Sequence, residues 1–180
     1  NCSIVPIISN SQFINNKSLA GEGGAIYSKI AIRIYESQFQ NCISNYKGGA
    51  IMTLGAAEIY ESNFTNNKTN STQSYGGALY CREDLLISNC TLHGNSAEKD
   101  GGVIICTNLD IDNSMISNNM INMNQGNIIY ATKSNIEHTL FKNNSGNTLI
   151  DTNNILLNQC LVYNNQTFPG RFQGHLNKSI

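Results

Sequence analysis

The chain has 180 residues, a net charge of −1, and charged side chains at 13% of positions, with Lys and Arg scattered singly. Phosphate binding needs a clustered basic face, so this composition argues against a nucleic-acid partner. No apolar run reaches the roughly 18–20 residues that span a bilayer as a helix.

The first residues, NCSIVPII, contain neither a signal peptide nor an initiator Met, and we expect a segment processed or cut from a longer protein. From residue 8 the same elements return. An apolar marker stands at Phe13, Phe39, Phe64, Cys90, Ile116, Phe141 and Leu161. Five residues before each lies Ile8, Ile34, Ile59, Leu85, Ile111, Ile136 or Leu156, and two before it Ser11, Ser37, Ser62, Ser88, Ser114, Thr139 or Gln159. Three after it comes Asn16, Cys42, Asn67, His93, Asn119, Asn144 or Asn164. Between markers falls a glycine pair whose second member is Gly24, Gly49, Gly77 or Gly102, with weaker echoes at Gly126–Asn127 and Gly146–Asn147. Columns that hold register over seven units define a repeat of about 25 residues.

Within a unit, Ile26, Ser28, Ile30, Ile32 and Ile34 alternate with Tyr27, Lys29, Ala31, Arg33 and Tyr35. That period of two marks a strand with one buried face. Helix is disfavoured, because the Gly, Asn and Ser content is costly there. The pattern predicts an all-β solenoid of about seven coils, three short strands each, over residues 1–165, with an irregular tail or contact segment over 166–180. A single coil cannot bury its own apolar face, so the coil is repeated until a continuous core exists. The glycine pair predicts a tight corner, and the extra residues of KTNSTQSYGG a bulging loop.

The words GGAI at 23–26 and 48–51, with FINN at 13–16, FTNN at 64–67 and FKNN at 141–144, resemble the GGAI and F-x-x-N repeats of chlamydial polymorphic membrane proteins. The resemblance runs over roughly residues 8–165 and implies a right-handed parallel β-helix displayed on a cell surface in an adhesive role. It specifies architecture rather than activity. Two departures stand out: there is no translocating barrel in the chain, and the density of N-x-S/T triplets suits a eukaryotic secretory route.

An inward Asn at one corner of each coil can build an amide ladder, expected from Asn16, Asn67, Asn119, Asn144 and Asn164, with Cys42 and His93 as substitutions. Nine N-x-S/T triplets, at Asn1, Asn16, Asn63, Asn67, Asn70, Asn89, Asn143, Asn165 and Asn177, point to an exported glycoprotein. Asn63, Asn70, Asn89, Asn143 and Asn165 are the expected outward acceptors of N-linked glycans. Six Cys without a C-x-x-C fit an oxidising compartment. Cys81 and Cys106 hold one column on neighbouring coils, where a disulfide is within reach; Ser28 and Thr53 in that column fit two inert thiols equally well. Cys90 in the Phe column and Cys42 in the Asn column read as free interior thiols.

Glu58, Asp84 and Asp110 each precede the Ile column by one residue and should form an outward row of carboxylates. Such a row invites a Ca²⁺ ion or a raised pKa and is the alternative catalytic or metal site. No phosphate loop, H-E-x-x-H or G-x-S-x-G is present, and no cofactor is implied. The expected function is a non-enzymatic structural or adhesive glycoprotein of a cell surface, coat or fibre, extracellular, able to stack end to end. Its partners would be further copies of itself or host-cell or matrix carbohydrate or protein. The alternatives are a polysaccharide-processing enzyme of the pectin-lyase kind, or a carbohydrate-binding module using the outward acidic and Tyr face.

Overall fold

The computed structural model describes residues 4–123, 126–168 and 174–177. The chain is an all-β parallel solenoid, and the described residues contain no helix, hence none long and apolar enough to cross a membrane. One sheet holds seven parallel strands: Gln12–Ile14, Gln38–Gln40, Asn63–Thr65, Thr91–His93, Met115–Ser117, Leu140–Lys142 and Leu161–Tyr163. Seven rungs thus stack through six turns. Two further strand tracks complete each coil, exemplified by Ile26–Ser28 and Ile32–Tyr35, with a two-residue bridge such as Ile43–Ser44. In the later coils these two tracks fuse into the long strands Ile104–Asp112 and Asn127–Glu137.

The register of the sheets fixes the columns. Phe13, Phe39, Phe64, Leu92, Ile116, Phe141 and Val162 stand opposite one another in sequence. The first three rings stack nearly parallel, with centroids 4.8 and 4.7 Å apart, the natural spacing of parallel strands. Phe39, Phe64, Leu92, Ile116 and Phe141 are completely buried. Beside them runs Ile8, Ile34, Ile59, Ile87, Ile111, Ile136 and Leu157.

These columns correct the expected ones at two rungs. Leu92 and Ile87, not Cys90 and Leu85, occupy the fourth; Val162 and Leu157, not Leu161 and Leu156, occupy the seventh. The three added residues of the fourth coil lie between Asn67 and Gly77, where Ser71 to Ser74 close a turn. From Gly77 onward the coil resumes its ordinary length: Leu92 follows Gly77 at the same distance as Phe64 follows Gly49.

The corners explain the composition. Gly23, Gly48, Gly76 and Gly101, the first of each glycine pair, have φ between 59 and 67°, where an L side chain is strained. A Cβ on the second glycine, Gly49, would fall within the contact distance of Gly77 O and Lys68 N on the next coil. The turn after the Phe strand uses a left-handed residue at Asn15, Asn41, Asn66, Gly94, Asn118, Asn143 and Asn164, and the turn before it uses Asn10, Glu36, Glu61, Asn89, Asn113, His138 and Gln159. Asn tolerates this region because its short side chain bonds locally, and nine of these fourteen corner positions are Asn.

Within 166–180, expected as an irregular tail or contact segment, the described residues form two strands. Gln166–Phe168 pairs with Ser145–Asp151, and Gly174–Asn177 pairs with Asn154–Asn158, both parallel.

Candidate functional site

Two polar ladders hold the interior at the corners. In the first, Asn67, Asn95, Asn119, Asn144 and Asn165 each donate Nδ2 to a main-chain oxygen of the previous Phe-column strand at 2.9 Å, namely Phe39, Phe64, Leu92, Ile116 and Phe141. Each Oδ1 accepts the backbone N–H one coil before it, as Asn95 Oδ1 accepts from Asn67 and Asn119 Oδ1 from Asn95, both at 2.9 Å. Buried amides left unpaired would cost about 1–3 kcal/mol each; here every one of the four from Asn95 onward is bonded on both sides or to the strand below. Cys42 replaces Asn one rung earlier: its Sγ donates to Phe13 O at 3.3 Å, and its N–H goes to Asn67 Oδ1.

Of the expected ladder, Asn67, Asn119, Asn144 and the substitution at Cys42 are in place. His93 and Asn164 are not. Asn95 and Asn165 stand there instead; His93 is half-buried one corner outward, its Nδ1 facing Ser117 Oγ at 3.1 Å, and Asn164 is exposed and donates to Asn143 Oδ1. Asn16 is half-buried in the first rung. The doublet was the missed signal: in FINN, FTNN and FKNN the first Asn is the left-handed corner and the second turns inward, and VYNN at 162–165 repeats it.

The second ladder is hydroxyl and thiol. Ser37 Oγ accepts Ser11 N–H, Ser62 Oγ accepts Ser37 N–H, Cys90 Sγ accepts Ser62 N–H, and Ser114 Oγ accepts Cys90 N–H. Each hydroxyl or thiol donates two residues back along its own chain, as do Thr139 and Cys160. Cys90 therefore replaces serine, not Phe, and Cys160 holds a position of the same kind. Burial raises both thiols, Cys90 to about 11.

Cys81 and Cys106 stand on successive rungs between Thr53 and Ala131. Both are free, buried thiols; Cys81 Sγ lies within reach of two acceptors, Gly55 O at 3.3 Å and Asp84 O at 3.4 Å, and burial lifts it to about 11 and Cys106 higher still. Cys2 lies outside the described residues. Thiols held this far from ionisation are poor nucleophiles.

The expected carboxylate row is not formed. The outward column is Arg33, Glu58, Leu86, Asp110, Asn135 and Leu156, so Leu86 separates Glu58 from Asp110. Asp84 belongs to the neighbouring column, opposite Asn108, which donates to it at 2.7 Å. The two-residue displacement follows from taking Leu85 for Ile87. Glu58 is held by Arg33 through two bonds of 2.9 and 3.2 Å, and Tyr60, stacked on Tyr35 at 5.1 Å, donates to it. The catalytic and calcium alternatives both required the row. Among the described residues no three His, Cys, Asp or Glu groups converge in a way that could hold a metal ion.

The expected glycan acceptors divide by exposure. Asn63, Asn70 and Asn89 are exposed, and Asn143 is half-buried at a left-handed corner. Asn165 is a ladder residue, with Oδ1 and Nδ2 both engaged, which sets it apart from the other four expected acceptors.

Two stretches of this repeat carry a family signature. Residues 10–29 and 61–82 match the Chlamydia polymorphic membrane protein (Chlamydia_PMP) repeat. The first holds the FINN corner and the GGAI turn, and the second runs from the FTNN corner through Gly76–Gly77 to Cys81. The parallel solenoid fits this repeat. No curated protein and no solved structure matches the chain.

Proposed function

We propose that this chain is a structural segment of a surface protein, a glycosylated extracellular β-helical rod that spaces or presents adhesive elements. The observation that carries the reading is the continuity of the interior: one apolar stack from Phe13 to Val162 runs through all seven rungs, and one amide ladder joins the rungs from Asn67 to Asn165. Such a core spends its polar groups on holding rungs in register and leaves loops and outward faces for contact. The matched family is described as a membrane protein repeat, and the description names no reaction. The outward triplets at Asn63, Asn70 and Asn89 support export through a glycosylating route.

The test is antibody labelling of intact, unpermeabilised cells of the source organism, with the same cells permeabilised as the reference. Labelling that appears only after permeabilisation removes the surface role. End-to-end stacking into filaments belongs to the same proposal, because every rung offers the next the same parallel pairing. Sedimentation that gives one monomer mass over a wide concentration range would remove the filament.

A further inference from the structure

The corrected register leaves one outward face on which three carboxylates, Asp110, Asp112 and Glu137, stand close together. On strand Ile104–Asp112 the side chains of Asp110 and Asp112 both project outward, and on Asn127–Glu137 those of Asn135 and Glu137 stand directly opposite them. Asp112 and Glu137 are thus like charges on neighbouring rungs, an arrangement that is destabilising unless something compensates it. His138 pairs with Asp112 at 2.8 Å and answers one charge. Asp110 and Glu137 have no side-chain hydrogen bond or ion pair among the described residues, whose ion pairs are Arg33–Glu58, Lys47–Glu22 and His138–Asp112. Lys133 lies at the near edge of this face and is exposed, yet it makes no ion pair with Asp110. Asn135 Oδ1 is buried and has no donor. Shallow grooves flank Asp110 and Asn135 on both sides, with Leu86 and Tyr60 on one and Leu156 on the other.

The chain itself shows what fits an acid in this column. Glu58, two rungs from Asp110, is covered by the guanidinium of Arg33 from the next rung, in a two-bond fork. Asp110 has Leu86 and Asn135 as its column neighbours and receives no such cation.

We propose that this face, centred on Asp110, Asn135 and Glu137, docks an extended arginine-bearing peptide of a partner protein. A guanidinium over Asp110 repeats the Arg33–Glu58 fork. The aliphatic stem lies along Leu86 or Leu156. A second arginine two residues on meets Asp112 and Glu137, since side chains two apart on an extended peptide share one face. Charge complementarity selects the peptide over a neutral or acidic glycan. The site goes beyond the surface role proposed above and does not depend on it.

Fluorescence anisotropy with a fluorescein-labelled Gly-Arg-Gly-Arg-Gly peptide tests it, with the citrulline isostere as the uncharged control. The arginine peptide should bind saturably, and the citrulline peptide about tenfold more weakly or worse, as expected for lost charge-assisted bonds. Asp110→Asn with Glu137→Gln should weaken binding by a similar factor, while Glu83→Gln, an exposed acid outside the groove, leaves it unchanged. In the wild-type protein, peptide-induced amide shifts should centre on residues 110, 135 and 137, a readout that needs no variant to fold. No saturable binding, equal binding of the citrulline peptide, an equal loss with Glu83→Gln, or shifts centred elsewhere would each overturn the proposal. So would labelled cellohexaose binding to this face in place of the peptide.

Discussion

Asn67 gives two donors to one oxygen of Asn95: its backbone N–H at 2.9 Å and its side-chain amide at 3.0 Å. The pair bridges the longest step in the solenoid, 28 residues, and it holds the same geometry as the 24-residue step from Asn95 to Asn119. Loop length therefore varies while the corner does not. The corner is where register is kept.

Removing one rung of the ladder should be costly in a way that neighbouring polar residues are not. Asn95→Ala leaves the N–H of Asn67 and the carbonyl of Phe64 without their partners in a dry interior, and should destabilise by about 2–4 kcal/mol in urea unfolding. His93→Ala, two residues away and half-buried, should cost less than about 1 kcal/mol. Equal losses would contradict the register.

The ladder is incomplete at Cys42, whose thiol is a weak donor to Phe13 O. Cys42→Asn supplies the amide that every later rung uses, and should raise the unfolding free energy by about 1 kcal/mol. A lower denaturation midpoint would show that the first coils cannot accommodate the larger side chain.

Glycopeptide mapping of protein from a glycosylating host should find sugar at Asn63, Asn70 and Asn89. Asn67 is fully buried and Asn165 has its side chain engaged on both sides, so the folded protein should carry none at either. Sugar on Asn67 would mean that the amide corner is not formed.

His138 is exposed, and its pKa is raised by the hydrogen bond from its ring to Asp112. A raised native value means that the protonated ring contributes stability below its ordinary pKa of about 6.5, and that this contribution is lost as pH rises through the native value. An NMR titration should place the midpoint above that of a free histidine, and Asp112→Asn should lower it. An unchanged midpoint in the variant would break the assignment.

Asp100 behaves in the opposite sense. Its carboxylate accepts N–H bonds from Gly101 and Asn127, but burial raises its pKa above the ordinary carboxylate range, and the nearby Asp151 adds to the rise. The native state then binds the proton more tightly than the unfolded chain, so ionisation of Asp100 lowers stability as pH rises between the two values. Asp100→Asn keeps an acceptor oxygen. Its advantage over the wild type should be present at neutral pH and shrink in acid, as followed by thermal melts across pH.

The repeat, its strand period and its glycine corners were legible along the chain, because stacking in parallel register demands that equivalent residues recur at nearly equal intervals. Phe13, Phe39, Phe64 and Phe141 could be aligned by eye, and so could Asn67, Asn119 and Asn144. The fourth and seventh rungs could not, since Leu92 and Val162 are ordinary aliphatic residues beside more conspicuous neighbours, Cys90 and Leu161. The two-residue slip at the fourth rung keeps the strand's inward and outward faces while moving every side chain along the sheet, whereas the one-residue slip at the seventh exchanges them, so that Leu157 points in and Leu156 out. At the fourth rung, therefore, the core survived the slip and the outward row did not. The sequence determined that there is a β-solenoid and, as far as the sixth rung, which face of each strand points in. Which outward acids stand together was decided by the hydrogen bonds of Asn67 to Asn95 and of Asn144 to Asn165, which absorb the unequal steps at the corners and set each coil on the one before it.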